Sequence, residues 1–452
     1  MLLKNLPKCL IELAQIFSKK APLYIVGGAV RNSLLNLKIS DYDITSELLP
    51  DSVEELIKNS KFEIVAKYKR TGTLVIKYDD FKFEYTTFRQ DSYPLTSGTH
   101  SPLECKFTSD IKQDALRRDF TCNALYYDIS NDKIIDLVGG VSDINGKILR
   151  TVRQSNLTLS EDGLRIMRLV RFAVQLGFSI DKDTYNCAKE NAFRLKDISK
   201  ERIKDELVAI FEGVFKYNSK DKGVNPSDGI KMLVDIGAME YIIPELLEMI
   251  DVPQNPKYHI YDVYNHTLKT IDNLPPRLMM AGLLHDIAKA RLFRKYGNMY
   301  MHELAGFDMA KEIMTRLKFS NSEIEKITWL VKIHMFNVDG KTRESKCRVF
   351  IADNMDCFDD YILLRRADGL ATNPNNYDDS VSAKLVEIKN EMVQNGMPMT
   401  IKDLPIKGKD LLDLGYQGRE ISELLEKIRL WILHNGRVPS KENIINKLRR
   451  NK

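Results

Sequence analysis

The sequence predicts an α+β protein, with an α/β head at its N-terminal end followed by a long all-helical body. Between about 21 and 127, the stretches "LYIVGG", "DYDIT", "GTLVIKY" and "FKFEYTTF" alternate or run apolar over strand lengths, and helical stretches separate them. Beyond about 155 strand signals almost vanish. There the segments 161–177, 201–215, 228–236, 303–318 and 417–434 carry apolar residues at i, i+3, i+4 spacing, as amphipathic helices do. A chain of 452 residues, 43% hydrophobic and 29% charged, is long enough for roughly two to four domains with substantial cores.

Composition excludes several classes. No apolar run approaches the roughly 20 residues that span a bilayer, and "MLLKNLPKCLIELAQIFSKK" reads as an amphipathic helix without a signal-peptide layout, so no membrane partner is expected. Cys9, Cys105, Cys122, Cys187, Cys347 and Cys357 form no CxxC pair, which argues against a zinc knuckle or a disulfide framework and for a reducing, cytoplasmic setting. A net charge of +5 permits nucleic-acid binding without establishing it. The Pro-, Gly- and Asn-rich stretches 216–229 and 252–259 are the best linker candidates, with a further boundary near 395–405.

In the head, the apolar run Leu23 to Val26 stops at Gly27 and Gly28, and a helix-like segment carrying Arg31 follows. A strand, a glycine pair and a helix start let backbone N–H groups close on phosphate oxygens, with Arg31 adding charge. On the next strand, "ISDYDIT" sets Asp41 and Asp43 two residues apart and hence on one face. Such a pair either shares divalent cations or is a solvated strand edge. A second pair, Asp181 and Asp183, reads as a loop. Glu84, on the strand "FKFEYTTF" whose Phe81, Phe83 and Tyr85 face the other way, completes a three-acid site for two Mg²⁺ ions or is an exposed strand residue.

Further along, "LRRDFTCNALYYD" offers Arg118 as a triphosphate clamp, with Asp119 and Asn123 orienting it or the sugar; a surface helix cap is the plainer reading. In "EDGLRIMRLVRF", Asp162, Arg165, Arg168 and Arg171 recur every three residues and share one helix face. One acid and three arginines are too unequal for local pairing, which favours a row facing a polyanion. An adjacent carboxylate and guanidinium also read bases. The carboxylate accepts from the exocyclic amine of cytosine or adenine and the guanidinium donates to the ring nitrogen, whereas uracil and guanine mismatch at both positions.

With these residues assembled, the chain resembles the class II tRNA nucleotidyltransferases, the bacterial CCA-adding enzymes, which share the DNA polymerase beta superfamily fold with poly(A) polymerases. The resemblance rests on "GGAVRN", "SDYDIT", "RTGTLVI", "FEYTTFRQDSY", "LRRDFTCNAL", "DLVGGVSDINGKILRTV" and "EDGLRIMRLVRFAVQLGF", in family order over 23–178. It implies that Asp41 and Asp43 hold the metals and that Gly28, Arg31 and Arg118 contact the nucleotide. Asp162 and Arg165 would template CTP and ATP, with Arg168 and Arg171 on the same nucleotide. The implied reaction adds C, C and A to the 3′ end of tRNA. The family reads GGxVRD where this chain has Asn32; an amide keeps a loop-tethering role but not the charge, so Asn32 is left outside the site. The segment "FRQDSYPLTSGTHSP" resembles the flexible loop of enzymes that add the whole CCA.

In the body, His266, His285, Asp286, His302, His334 and Asp368 spread over helical segments in an order that resembles the HD phosphohydrolases, whose residues ring a divalent cation. The expected organisation is a head over 1–127, a neck and nucleotide- or tRNA-binding region over 128–250, an HD domain over 251–395 and a helical tail over 396–452. In the tail, Lys402, Lys407, Lys409 and the closing "KLRRNK" either meet tRNA phosphates or are solvated helix ends. Two alternatives stand beside this reading: a poly(A) polymerase, and an HD phosphohydrolase with an RNA-binding head.

Overall fold

Strand formation in the N-terminal part follows the alternation of its apolar residues. The structure, a computed structural model, describes residues 6–93 and 104–450, and the chain divides into two compact units between Leu247 and Glu248. The first holds β1 (Tyr24–Val26), β2 (Asp43–Ser46), β3 (Glu63–Tyr68), β4 (Thr73–Tyr78), β5 (Phe81–Thr87), β6 (Arg89–Ser92), β7 (Glu104–Phe107), β8 (Leu125–Asp128) and β9 (Lys133–Asp136). Seven of these form one sheet in the order β3-β4-β5-β2-β1-β8-β9, while β6 and β7 make a separate ribbon. Only β2 and β5 run parallel within the large sheet, in a register that sets Asp43 beside Glu84. Phe83 and Tyr85 enter the core, where Tyr85 meets Phe17 of the helix Lys8–Phe17 at a ring separation of 5.7 Å. A second cluster, Val26, Phe88, Ala115 and Tyr126, carries the residues around the site.

Three local expectations change. The strand begins at Asp43, so Asp41 precedes it instead of sharing it. β1 has only three residues and its last pair is Val26 with Asp43, so the ladder ends there on that side. The helix expected over 161–177 is two helices, Ser155–Glu161 and Leu164–Leu176, with Asp162 in extended backbone between them. Gly163 packs so tightly on Arg194 that a Cβ there would lie 2.9 Å from its backbone, and the chain turns at that contact. Asp162 lies just before the Gly163 cap of the second helix, its carboxylate accepting from Leu164 N–H at 3.0 Å. Asp181 likewise is no loop residue but the N-cap of Lys182–Asn191, accepting from Thr184 N–H.

The other expected helices form as Lys200–Lys216, Pro226–Asp235, His302–Arg316 and Arg419–Asn435. Residues 216–229 join two helices of the first unit and separate no units. Among the described residues no strand lies beyond Ile180, and no helix is long and apolar enough to cross a membrane. The class is α+β. In the second unit, Leu404, Ile406, Leu411, Ile428, Ile432 and Ile444 build a small core around the last two helices. All six cysteines are free.

The motif "DLVGG" has a structural role. The Asp136 carboxylate accepts four backbone N–H bonds, from Val138, Gly139, Gly140 and Val141, at 2.9–3.1 Å. Gly140 lies so close to the Thr121 carbonyl that a Cβ would meet its oxygen at 2.2 Å. Hydrogen bonds to a charged group contribute about 1.5–3 kcal/mol each in favourable settings, and these four share one carboxylate. Asp136→Ala is expected to destabilise the first unit by about 2–3 kcal/mol, read from its urea unfolding midpoint, with Asp136→Asn intermediate.

Candidate functional site

One cleft of about 490 Å³ in the first unit collects Gly27, Gly28, Arg31, Asp43, Arg118, Asp119, Asn123, Asp162, Arg165, Arg168 and Arg171. Gly27 makes its entrance possible. Its φ of 75° and ψ of −127° are open to glycine alone, and they turn β1 directly into the helix Gly28–Leu34. An added Cβ on Gly27 would sit 3.8 Å from the Arg118 guanidinium.

Arg31 is buried under that helix. Its guanidinium donates to the side-chain oxygens of Asn123 and Asn32 and lies 5.1 Å from the Phe172 ring centre. Asn32 also donates to the Lys38 carbonyl at 3.2 Å, which ties down the loop leading to Asp41. The amide thus anchors both an arginine of the cleft and the approach to the acidic pair.

Asp43 and Glu84 stand side by side across the parallel ladder, and both line a neighbouring hollow with Arg117 and Arg118. Burial and the Glu84 and Asp41 charges push the Asp43 carboxyl up, against the opposing pull of Arg118 and Arg168. Two like charges beside a carboxylate are the state that a cation relieves. Asp41 is exposed in the preceding loop, its carboxylate accepting from the Ser40 hydroxyl at 2.7 Å.

The arginine row differs from its expectation. Each member meets a carboxylate: Arg165 meets Glu161 at 3.3 Å, Arg168 meets Asp119 at 2.6 Å and Arg171 meets Glu206 at 2.7 Å. Two of these partners come from distant segments, which local spacing could not reveal. Burial raises Asp119, but Arg168 and the Phe120 N–H outweigh it and hold the carboxyl at about 2. Arg165 is further pinned by the Thr158 and Arg117 carbonyls at 2.8 and 2.9 Å. Asp162 faces the same cleft from the helix cap, with Arg202 3.9 Å away. Eight arginines (31, 89, 117, 118, 165, 168, 171 and 202) and four aspartates line the cleft, and Asp114, Glu161 and Glu206 stand behind the arginines.

Several residues escaped the sequence reading. Asp91 pairs with Arg89 at 2.9 Å, and Tyr93 lies under the Arg165 guanidinium. Residues 94–103, most of the expected flexible loop, lie outside the described residues. Asp114, fully buried, receives Arg117 at 2.8 Å, Arg118 at 3.1 Å and the Tyr126 hydroxyl at 2.6 Å. Its i, i+3 and i, i+4 spacing to the two arginines was a readable signal.

In the second unit, His266, on the helix Val263–Asp272, converges with residues from four other helical segments. His285 and Asp286 follow Met279–Leu284, His302 opens His302–Arg316, His334 caps Asn321–Ile333, and Asp368 sits on Phe358–Thr372. His266, His285 and Asp368 present ligand atoms within 4.8 Å of one another, as do Asp286, His302 and His334. Asp286 joins the trios: one oxygen lies 3.2 Å from His285 Nε2 and the other 3.2 Å from His302 Nε2.

Carbonyl oxygens of Gly282, Met299 and Val331 face Nδ1 of His285, His302 and His334 at 2.7, 3.0 and 2.6 Å. A carbonyl only accepts, so each Nδ1 carries a proton and each Nε2 faces the cluster; burial lowers the His285 pKa, but Asp286 and Asp368 outweigh it and leave that pKa raised. Burial, with His285 and His302 alongside, pushes His334 down to about 3, which keeps it neutral. These donors fit a divalent metal centre. Lys289 and His259 were missed: Lys289 bonds Asp286 at 2.8 Å and the Gln254 side-chain carbonyl at 2.9 Å, and the His259 ring meets His266 edge-on at 5.2 Å.

Burial raises the Asp114 carboxyl, but Arg117, Arg118 and Tyr126 outweigh it and hold it at about 2, below the ordinary 3.8. A depressed carboxyl stabilises the fold above its unfolded pKa, and that contribution is lost as pH falls through the folded value. Asp114→Ala leaves two buried arginines uncompensated and is expected to cost about 3–5 kcal/mol at pH 7. Urea unfolding of wild type and variant should converge as pH drops from about 4 towards 2.

Comparison with known proteins follows this geometry. Residues 23–150 match the poly A polymerase head domain, 177–218 the probable RNA and SrmB-binding site of polymerase A, and 258–361 the HD domain. The chain is 40% identical over 190 residues to the CCA-adding enzyme of Bacillus pumilus, covering 42% of this chain and 46% of that protein. It is 37% identical over 219 residues to that of a Geobacillus species, covering 48% and 50%. These matches span about half the length of the curated relatives. The crystal structure of the Bacillus stearothermophilus CCA-adding enzyme in complex with CTP superposes with a TM-score of 0.67 at 22% identity, covering 98% of each chain. Residues 23–150 thus resemble the poly A polymerase head and residues 258–361 the HD domain, in a chain with the fold of the CCA-adding enzymes.

Proposed function

We propose that the protein is a CCA-adding tRNA nucleotidyltransferase that works in the cytoplasm, taking CTP and ATP and extending the 3′ end of tRNA. The observation that carries this reading is the single cleft in which the glycine turn, Asp43, Arg118 and the Asp162–Arg165 pair line one space. Head-domain similarity and the names of the relatives support the reaction class.

In this reading Asp41, Asp43 and Glu84 hold Mg²⁺, which when bound lowers the pKa of the attacking hydroxyl and neutralises charge on the leaving pyrophosphate. The chain's own residues do the rest. The Gly27–Gly28 turn lets phosphate oxygens approach the backbone, and Arg118, fixed by Asp114 and Tyr126, donates to the triphosphate. Arg168, aligned by Asp119, and Arg171, aligned by Glu206, offer further fixed donors. Asp162 accepts from the exocyclic amine of C or A, while Arg165 donates to the neighbouring ring nitrogen. The tRNA 3′-oxygen attacks the α-phosphate, the bond to the β-phosphate oxygen breaks, and pyrophosphate leaves. No nucleic-acid template is needed. Lys402, Lys407, Lys409 and the helix Lys441–Arg450 supply charge for tRNA phosphates.

The test supplies tRNA lacking its 3′ CCA with each nucleotide separately and in combination. Addition of C, C and then A with CTP and ATP is expected, and abolition in Asp41→Ala and Asp43→Ala with the fold intact. Long A tails from ATP alone would instead mark a poly(A) polymerase. Asp162→Ala and Arg165→Ala should raise UTP misincorporation by the roughly 1–3 kcal/mol that a bidentate base contact contributes.

A second activity is favoured by the two ligand trios that Asp286 joins. We infer a metal-dependent phosphohydrolase in the HD domain, independent of the head because it lies in the other compact unit. Asp286→Ala removes the carboxylate that joins both trios. It should abolish tightly bound divalent metal, measured by plasma emission spectroscopy on purified protein, and leave CCA addition largely intact.

A further inference from the structure

One phenylalanine of the first unit gathers three cations. Phe172, on the helix Leu164–Leu176, is 6% exposed and lines the cleft. The guanidinium carbons of Arg171, Arg31 and Arg168 lie 4.4, 5.1 and 5.5 Å from its ring centre. Arg168 stands one turn earlier on the same helix, whereas Arg31 arrives from the helix Gly28–Leu34. Phe120, fully buried, meets the ring edge-on at 5.9 Å and 82°, which fixes its orientation from behind.

Three like charges held so close repel one another, and the carboxylates nearby answer only two of them. Asp119 pairs with Arg168 and Glu206 with Arg171. Among the described residues no carboxylate pairs with Arg31, which is 3% exposed and donates to the side-chain oxygens of Asn32 and Asn123. A third carboxylate would hold Arg31, but it would also occupy the remaining N–H donors and cancel the charge. An aromatic face does neither. Its electron density attracts the cation without accepting a strong hydrogen bond, so those donors stay open to phosphate oxygens. We propose that Phe172 is a positioning residue of the nucleotidyl transfer, its ring collecting Arg31, Arg168 and Arg171 into one grip on the nucleotide triphosphate. The role rests on the reading of the cleft as a nucleotidyltransferase site, and makes the aromaticity of Phe172, beyond its bulk, a determinant of triphosphate affinity. The base reader stands apart, because Arg165 lies 5.6 Å from the ring centre of Tyr93 instead.

The test replaces Phe172 in the full chain with mono-, tri- and pentafluorophenylalanine by amber suppression. Fluorine drains electron density from the ring face and changes its shape little. Affinity for CTP and ATP, read by equilibrium dialysis, should fall stepwise with fluorine number and reach a loss of roughly tenfold in the pentafluoro protein, the scale of one or two cation–ring contacts. On tRNA lacking its 3′ CCA, KM for both nucleotides should rise in the same order, while the preference for CTP over UTP keeps its wild-type value. Phe172→Leu, apolar without a π face, should lose at least as much affinity as the pentafluoro protein; if it does not fold, the fluorinated series decides alone. Equal affinity across that series overturns the proposal. So does a loss of CTP preference in step with affinity, which marks a general collapse of the cleft. Wild-type protein that adds no nucleotide to tRNA overturns the nucleotidyltransferase reading and this role with it; normal addition with a flat series removes only the role of Phe172.

Discussion

The head depends on one buried carboxylate. Asp114 has no exposed surface, yet it receives two guanidinium groups, a phenol and the backbone N–H of Arg89. Without it, Arg117 would keep Asp91 at 3.9 Å and Arg118 the Tyr126 hydroxyl, too little to offset two charges taken out of water. With it, both arginines are held at the floor of the cleft, and Tyr126, whose ring packs with Val26 and Phe88, fixes the carboxylate in turn. The position of Arg118 against the Gly27 turn is therefore a property of the core. Interchange of Asp114 for any neutral residue would loosen the cleft and the hydrophobic cluster together.

The second unit solves the same problem with backbone carbonyls. Three histidines are oriented by acceptors three residues upstream in the chain, Gly282, Met299 and Val331, so the local turn that precedes each ligand fixes both its tautomer and its direction. Asp286 then needs only to lie between them. This economy explains why the ligands are dispersed over about a hundred residues and still meet. Each helix segment delivers a side chain already aimed, and packing has only to bring the segments together.

How much of this was legible in the sequence follows from the range of each interaction. Alternation in "FKFEYTTF" set the face of Glu84, and the helices at 200–216, 302–316 and 419–435 were readable from spacing. The ordered histidines and aspartates marked a cluster, and three of the histidines lie beside their own turns. Asp162 was misread as a helix residue because the break at Gly163 is forced by Arg194, about thirty residues away, which periodicity does not see. The arginine row was misread for the same reason. Its imbalance was real within the segment, but Asp119 and Glu206 arrive from other elements. Lys289 and His259 were visible as residue types, and only their distances gave them meaning.

Paired arginines change what the cleft does to a nucleotide. A free arginine row would attract any polyanion and hold it loosely, since each guanidinium could follow the ligand. Here Arg165 is fixed by two carbonyls and a carboxylate, Arg168 by Asp119 and Arg171 by Glu206, so their remaining donors point in set directions before the ligand arrives. The partners reduce the net attraction, because Glu161, Asp119 and Glu206 each offset one arginine of the row. What is gained is geometric: a base that cannot meet fixed donors leaves them unpaired in a buried setting, and that penalty falls on the wrong nucleotide alone. The ion pairs behind the arginine row make the cleft surface rigid before any ligand arrives.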